Sequence, residues 1–88
     1  MYKIKYLAWA RIDLELIFNF ISFWSEKNAV NIILDIQKTI LNLSFFPLLG
    51  KDIWFNRRVL INSKYKYKIF YEIHNNSIYI VNIEKNKK

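Results

Sequence analysis

Cysteine is missing from all 88 residues, so neither a disulfide framework nor a thiolate zinc site is open to this chain. Glycine and proline occur once each, at Gly50 and Pro47, which leaves nothing that reads as a flexible linker and points to one domain over residues 1–88. Long apolar runs are also lacking. The stretch after the N-terminal MYKIK carries Arg11, Asp13 and Glu15, which excludes a signal-peptide core and a membrane span. The expected address is the cytoplasm, with no membrane partner. No metal-ligand set and no cofactor motif is read from the residues that remain.

Acidic residues are scarce, and the imbalance has a direction. Residues 1–50 hold five Lys and Arg against four Asp and Glu, whereas residues 51–88 hold nine against three. A basic half of this kind suits a polyanionic or acidic partner, although a general bias towards Lys, Ile and Asn produces the same count. Large apolar side chains are abundant: 53% of residues are hydrophobic and 18% aromatic. A domain of this size buries only about 60 to 65% of the surface its unfolded chain exposes. Some of that apolar surface is therefore expected to remain free for a partner.

The periodicity of the chain changes twice. YKIKYL (2–7) alternates and predicts a short strand. From Trp9 to Trp24, Leu14, Ile17, Phe18, Ile21 and Trp24 fall at helical spacing, while Ile12, Leu16, Phe20 and Phe23 widen the apolar surface beyond one face. Ser25 or Asn28 can cap a second helix carrying Ala29, Ile33, Ile36, Ile40 and Leu43, and the short break makes the two helices an antiparallel hairpin. FFPLLG (45–50) ends it, because Pro47 disfavours helical dihedrals at Phe46. RRVLIN (57–62), YKYKIFYEIH (65–74) and SIYIVNIE (77–84) then read as an antiparallel meander with Asn75-Asn76 as a tight turn. The predicted order is β-α-α-β-β-β, an α+β fold with a helical hairpin on one face of a small antiparallel sheet. Tyr65, Tyr67, Ile69, Tyr71 and Ile73 should lie under the helices, and Lys66, Lys68, Phe70, Glu72 and His74 should face away.

Five fragments in this order resemble the RelE/ParE superfamily of bacterial type II toxins, and its ParE branch in particular. Ala10 to Ile21 is similar to the family's A-x-x-D-L-x-x-I-x-x-[FY]-I opening, and Leu43 to Gly50 to L-x-x-[FY]-P-x-x-G. Arg58-Val59-Leu60 matches R-x-L, Tyr67 to Tyr71 matches Y-[RK]-[IV]-x-Y, and Ile83 to Lys88 is a loose version of I-x-H-G-R-R. The resemblance implies a toxin neutralised by a cognate acidic antitoxin, either as a homodimer or within a toxin–antitoxin heterotetramer.

The superfamily holds two chemistries. ParE-like members inhibit DNA gyrase without a catalytic constellation; RelE-like members cut mRNA on the ribosome. Under the second, Lys68 stands where the RelE branch keeps a catalytic Arg, with Arg58 and Lys85 as further cations. A lysine cannot grip a phosphate bidentately as arginine does. No terminal helix or Tyr follows the last predicted strand, and His74 sits beside the turn as an ordinary strand-end histidine. The Phe46-Pro47-x-x-Gly50 junction favours the ParE-like function. A third reading is an inactive homologue that serves as a binding module. For antitoxin or target binding, the expected residues are the aromatic Phe20, Phe23 and Trp24 with Arg57, Arg58, Lys64 and Lys66 as partners for carboxylates.

Overall fold

The computed structural model describes residues 1–86; Lys87 and Lys88, which belong to the closing fragment of the resemblance, lie outside the described residues. The elements are β1 (Lys3–Tyr6), α1 (Ala8–Ser22), α2 (Glu26–Leu41), a 3-10 turn (Asn42–Ser44), β2 (Lys51–Trp54), β3 (Arg57–Asn62), β4 (Tyr67–His74) and β5 (Ser77–Lys85). The five strands form one sheet in the order β1-β5-β4-β3-β2. The expected α+β architecture is present, with two differences. Residues 51–54 add a strand to the meander, and β1 pairs with β5 in parallel while every other pairing is antiparallel.

The two helices form because their apolar spacing lets Ala10, Ile36 and Ile40 meet the sheet, and they are separated where the first helix runs out of backbone partners. Trp24 and Ser25 both donate their amides to the Ile21 carbonyl (2.9 Å each). Ser25 then caps α2, its side chain accepting from the Asn28 amide at 3.2 Å. Under the helices lie Tyr67, Ile69 and Tyr71 of β4 with Ile78, Ile80 and Ile83 of β5, all buried. Ile83 stands three residues after Ile80, a spacing that would turn it to the other face of a regular strand. A bulge between the pairs Phe70–Asn82 and Tyr71–Ile80 leaves Val81 unmatched and restores Ile83 to the core.

The predicted strand over residues 65–74 begins only at Tyr67. Lys66 has φ 63°, so alternation stops there and neither Tyr65 nor Lys66 belongs to the β4 rows. Tyr65 still packs against the core from the turn. The outward row is Lys68, Phe70, Glu72 and His74, as expected without Lys66.

Buried and half-buried polar side chains tie the layers. Asn62 donates to Asp35 Oδ2 (2.7 Å) and Thr39 Oγ1 (2.9 Å) on α2 and accepts from the Tyr65 amide (2.8 Å). Asp13 on α1 accepts from the Ile83 amide at 2.9 Å, on the stretch of β5 that runs past the end of β1. Ser44 donates to the Tyr2 carbonyl (2.7 Å), while the Tyr2 amide donates to the Ser44 carbonyl (2.9 Å). The fourth tie centres on Tyr71, whose hydroxyl donates to the Pro47 carbonyl (2.7 Å) and accepts from the Gly50 amide (2.8 Å). Burial pushes this phenol upward from its ordinary value, against the opposing pull of the Gly50 amide and the Arg58 guanidinium. Gly50 is required by that closeness: a Cβ there would lie 2.7 Å from the Tyr71 ring and 2.8 Å from the Val59 carbonyl.

Tyr71→Phe keeps the ring but leaves the Gly50 amide and Pro47 carbonyl unpaired. It is expected to lower unfolding free energy by about 1 to 3 kcal/mol. Gly50→Ala, which forces the loop off the tyrosine, should lose more. Urea denaturation of both variants checks the size and the order of the two losses.

Candidate functional site

Strand register decides which charged side chains share a face. Arg57 pairs with Glu72, Val59 with Phe70 and Ile61 with Lys68, so these six stand on the sheet face turned away from the helices. Tyr79 pairs with Glu72 and Lys5 with Tyr79, which extends that face to β1. Its charges are not all free. Glu72 accepts from Arg57 Nε at 2.9 Å and stands 3.0 Å from His74 Nε2, and the His74 ring meets the Tyr79 ring edge-on at 5.6 Å. The bonds to His74 and Arg57 hold the Glu72 carboxyl below its ordinary value of 4.5. Lys68, by contrast, has no acidic side chain within ion-pair distance among the described residues.

Arg58 lies on the other side of the same strand. It pairs with Tyr71, and its Nε donates to the Gly50 carbonyl at 2.9 Å, so its guanidinium is engaged in holding the loop before β2. Lys85 pairs with Tyr67 near the opposite end of β4; its Nζ donates to the Tyr65 carbonyl at 2.8 Å and lies 4.7 Å from the centre of the Tyr67 ring. Lys68, Arg58 and Lys85 are thus not gathered into one site. Lys68 is on the open face, while Arg58 and Lys85 face the helices four residues apart along β4, roughly 13 Å at about 3.3 Å per residue.

The residues expected to bind a partner also divide. Phe20, Phe23 and Trp24 are 72%, 79% and 76% exposed at the end of α1, with Phe23 and Trp24 in edge-to-face contact at 5.1 Å. Phe20 lines a groove of about 480 Å³ between the helices and β5, together with Leu16, Tyr67, Ile83 and Lys85. A second hollow continues it along β5, from Trp9 and Asp13 to Val81 and Glu84. Lys64 and Lys66 are exposed in the β3–β4 turn, and the Lys66 carbonyl accepts from the Asn86 amide at the end of β5 (2.7 Å). Phe20, Lys66 and Lys85 therefore belong to one end of the molecule, while Arg57 lies at the other. Leu16, one of the apolar residues in excess of one helix face, joins this surface, as do Trp9 and Asp13, which the sequence did not mark for binding; Trp9 and Leu16 stand seven apart, on the helix face that also bears Phe20 and Phe23. Among the described residues no set of three His, Cys, Asp or Glu side chains comes together to hold a metal ion.

A carboxyl held below its ordinary value adds stability that is fully present above that value and is lost as the pH falls through the depressed one. The difference in thermal midpoint between the wild-type chain and Glu72→Gln should thus be largest above pH 4.5 and shrink on acidification. Thermal melts from pH 3 to 7 read it directly, and a gap that widens towards low pH contradicts the assignment.

Eleven chains of solved structure match. One, described as the chromosomal ParDE TA system from P. aeruginosa, superposes with a TM-score of 0.85 at 18% identity, covering 99% of this chain and 98% of that chain. Another, the intact E. coli RelBE toxin-antitoxin complex, superposes with a TM-score of 0.74 at 10% identity over the full length of both chains. At such identities the likeness is one of fold. A search of curated protein sequences gives no match. The family profile for the ParE toxin of the type II toxin-antitoxin system, parDE, matches residues 4–88. The chain belongs to the ParE toxin family of type II toxin–antitoxin systems.

Proposed function

We propose that this ParE-family toxin arrests growth in the cytoplasm by inhibiting DNA gyrase, acting as a binding protein rather than as a nuclease. The observation that carries this reading is the dispersal of its cations. A phosphodiester cleavage site needs a base, an acid and positive charge converging within hydrogen-bond reach of one phosphate. Here Lys68 stands opposite Glu84 on the open face, Arg58 is turned to the other face and bound to the Gly50 carbonyl, and Lys85 lies over the Tyr67 ring. The Arg57–Glu72–His74 group is internally neutralised, since Arg57 and His74 both engage the one carboxylate. RelE-like cleavage of mRNA on the ribosome is the competing activity, and it would have to run on Lys68 alone among the three named cations.

Neutralisation follows from the other surface. The cognate antitoxin would lay an amphipathic, acidic segment along the groove between α1 and β5, covering Leu16, Phe20 and Trp24. Its carboxylates would reach Lys64, Lys66 and Lys85 at the groove's end. The pattern of exposed aromatics beside lysines that have no carboxylate partner among the described residues supports that placement.

Two experiments test these roles. Induced expression should halt growth while cellular transcripts stay intact, and Lys68→Ala should halt growth as the wild type does; transcript cleavage that Lys68→Ala abolishes would instead establish the nuclease. Replacing both Phe20 and Trp24 by Ser should weaken binding of the antitoxin encoded beside the gene by roughly tenfold or more, as expected for aromatic anchors. Calorimetric titration measures it. The thermal midpoint should hardly move, because both side chains are exposed.

A further inference from the structure

The groove beside β5 is also an unfinished edge of the sheet. β1 pairs with β5 only from Ser77 to Ile80, and the Leu7 amide closes that ladder on the Ile80 carbonyl at 3.0 Å. β5 continues to Lys85 with β4 on one side and no strand on the other. In the row beyond the end of β1 lie the two hollows, of about 480 and 340 Å³, bordered by Trp9, Leu16 and Phe20 of α1.

The backbone bonds show which groups face that row. The Asn86 amide donates to the Lys66 carbonyl on the β4 side, so by the alternation of a strand Lys85 and Ile83 turn their backbone groups the other way. The Ile83 amide agrees: its acceptor is the carboxylate of Asp13, at 2.9 Å, doing what the carbonyl of a neighbouring strand would do. The Ile83 carbonyl and both backbone groups of Lys85 have no protein partner among the described residues. Unpaired groups along a sheet edge are a template for one more strand. A helix laid in the same groove satisfies its own amides and leaves these unmet.

The surroundings set the chemistry of that strand. Trp9, Leu16 and Phe20 are 69%, 61% and 72% exposed on the α1 side, so every second residue of the strand should be apolar. Where β5 ends, Lys64 and Lys85 gather around Tyr65, with Lys64 Nζ 5.3 Å from its ring centre and Lys85 Nζ bonded to its carbonyl, and Lys66 follows next in the chain. Among the described residues none of these three lysines has a carboxylate partner, so the segment passing them should carry acids. A second copy of a chain with net charge +7 would add positive charge there, whereas an acidic segment neutralises it.

We propose that the antitoxin enters this groove as a β-strand, which continues the row of β1 along residues 81–85 and takes the Ile83 amide over from Asp13. Asp13 is then a positioning residue that occupies the edge until the partner arrives. The assignment rests on the reading of this groove as the antitoxin site and adds the conformation in which the antitoxin is held.

Amide exchange followed by NMR, for the free chain and for its complex with the antitoxin encoded beside the gene, reads the backbone directly. The Lys85 amide should exchange roughly a hundredfold more slowly in the complex, as for a group moved from an open edge into a sheet. Calorimetric titration of the same antitoxin into Asp13→Ala and Asp13→Asn separates displacement from charge. Asp13→Ala should melt at a lower temperature, since the Ile83 amide loses its acceptor, yet bind roughly tenfold more tightly, since the partner no longer has to break that bond. Asp13→Asn keeps an acceptor without the charge and should bind much as the wild type does. An equal gain in both variants traces the effect to charge and overturns the displacement, as does weaker binding by Asp13→Ala. A Lys85 amide that exchanges as fast in the complex, with Leu16 and Phe20 resonances shifted, overturns the strand and leaves the antitoxin in the groove. Unshifted Leu16 and Phe20 resonances overturn both. Protection of Lys85 in the toxin alone, with a doubled mass by light scattering, gives the edge to a second copy and overturns the assignment.

Discussion

A buried hydroxyl organises this molecule. Tyr71 sits in the middle of β4, and its phenol reaches past the sheet to hold the Pro47 carbonyl and the Gly50 amide, while Arg58 from the neighbouring strand takes the Gly50 carbonyl. The loop from α2 to the sheet, the strand pair β3–β4 and the start of β2 are fixed at that point. Three of the fragments that resemble the RelE/ParE superfamily converge there: the Pro and Gly of the loop, the Arg of β3 and the Tyr of β4. Their recurrence has a structural cause in this chain, since each supplies one atom or one vacancy to the same knot. The lone glycine is part of it because the tyrosine occupies the space a Cβ would need.

The knot also shapes what the surface offers. Arg58, on the helix-facing side of β3, is held against the loop, and on the open face Arg57 is engaged by Glu72. The knot delivers the chain to the outer edge of the sheet, so that β2 and its turn display Trp54 and Phe55. The large apolar content of so short a chain is thereby divided into a core beneath the helices and two exposed aromatic areas, one along α1 and one beyond β3. Charge has the supporting role. Lysines at the end of the α1 groove favour a partner with carboxylates at its rim, whereas Arg57 and Arg58 are already engaged within the chain.

Much of this was legible in the residues, and the parts that were not have identifiable reasons. The helices announced themselves through apolar spacing, and β4 through Tyr67, Ile69 and Tyr71. Lys51–Trp54 gave no strand signal because an edge strand of four exposed residues has no face to bury and so no alternation to read. The parallel pairing of β1 with β5 depends on which distant strand lies beside it, and YKIKYL is compatible with either direction. Tyr65 and Lys66 continue the alternation of β4 in sequence, but the positive φ at Lys66 belongs to a turn anchored by Asn62, whose bonds to Asp35 and Thr39 join positions far apart in the chain. The exposed aromatics of α1 were visible as apolar residues in excess of one helix face. The positive φ of Phe55 was not, since an aromatic beside an asparagine gives no sign of which of the two takes the left-handed position. For the cations, sequence order grouped Lys68, Arg58 and Lys85 by charge, whereas strand register separates them onto different faces and ends.

The central claim is that the folded chain acts on gyrase by binding, with no catalytic group required. Titrating purified protein into a gyrase supercoiling reaction, with wild type and Lys68→Ala in parallel, addresses it most directly. The account predicts that both proteins inhibit supercoiling at comparable concentrations. Undiminished supercoiling at large molar excess of the wild-type protein would contradict it.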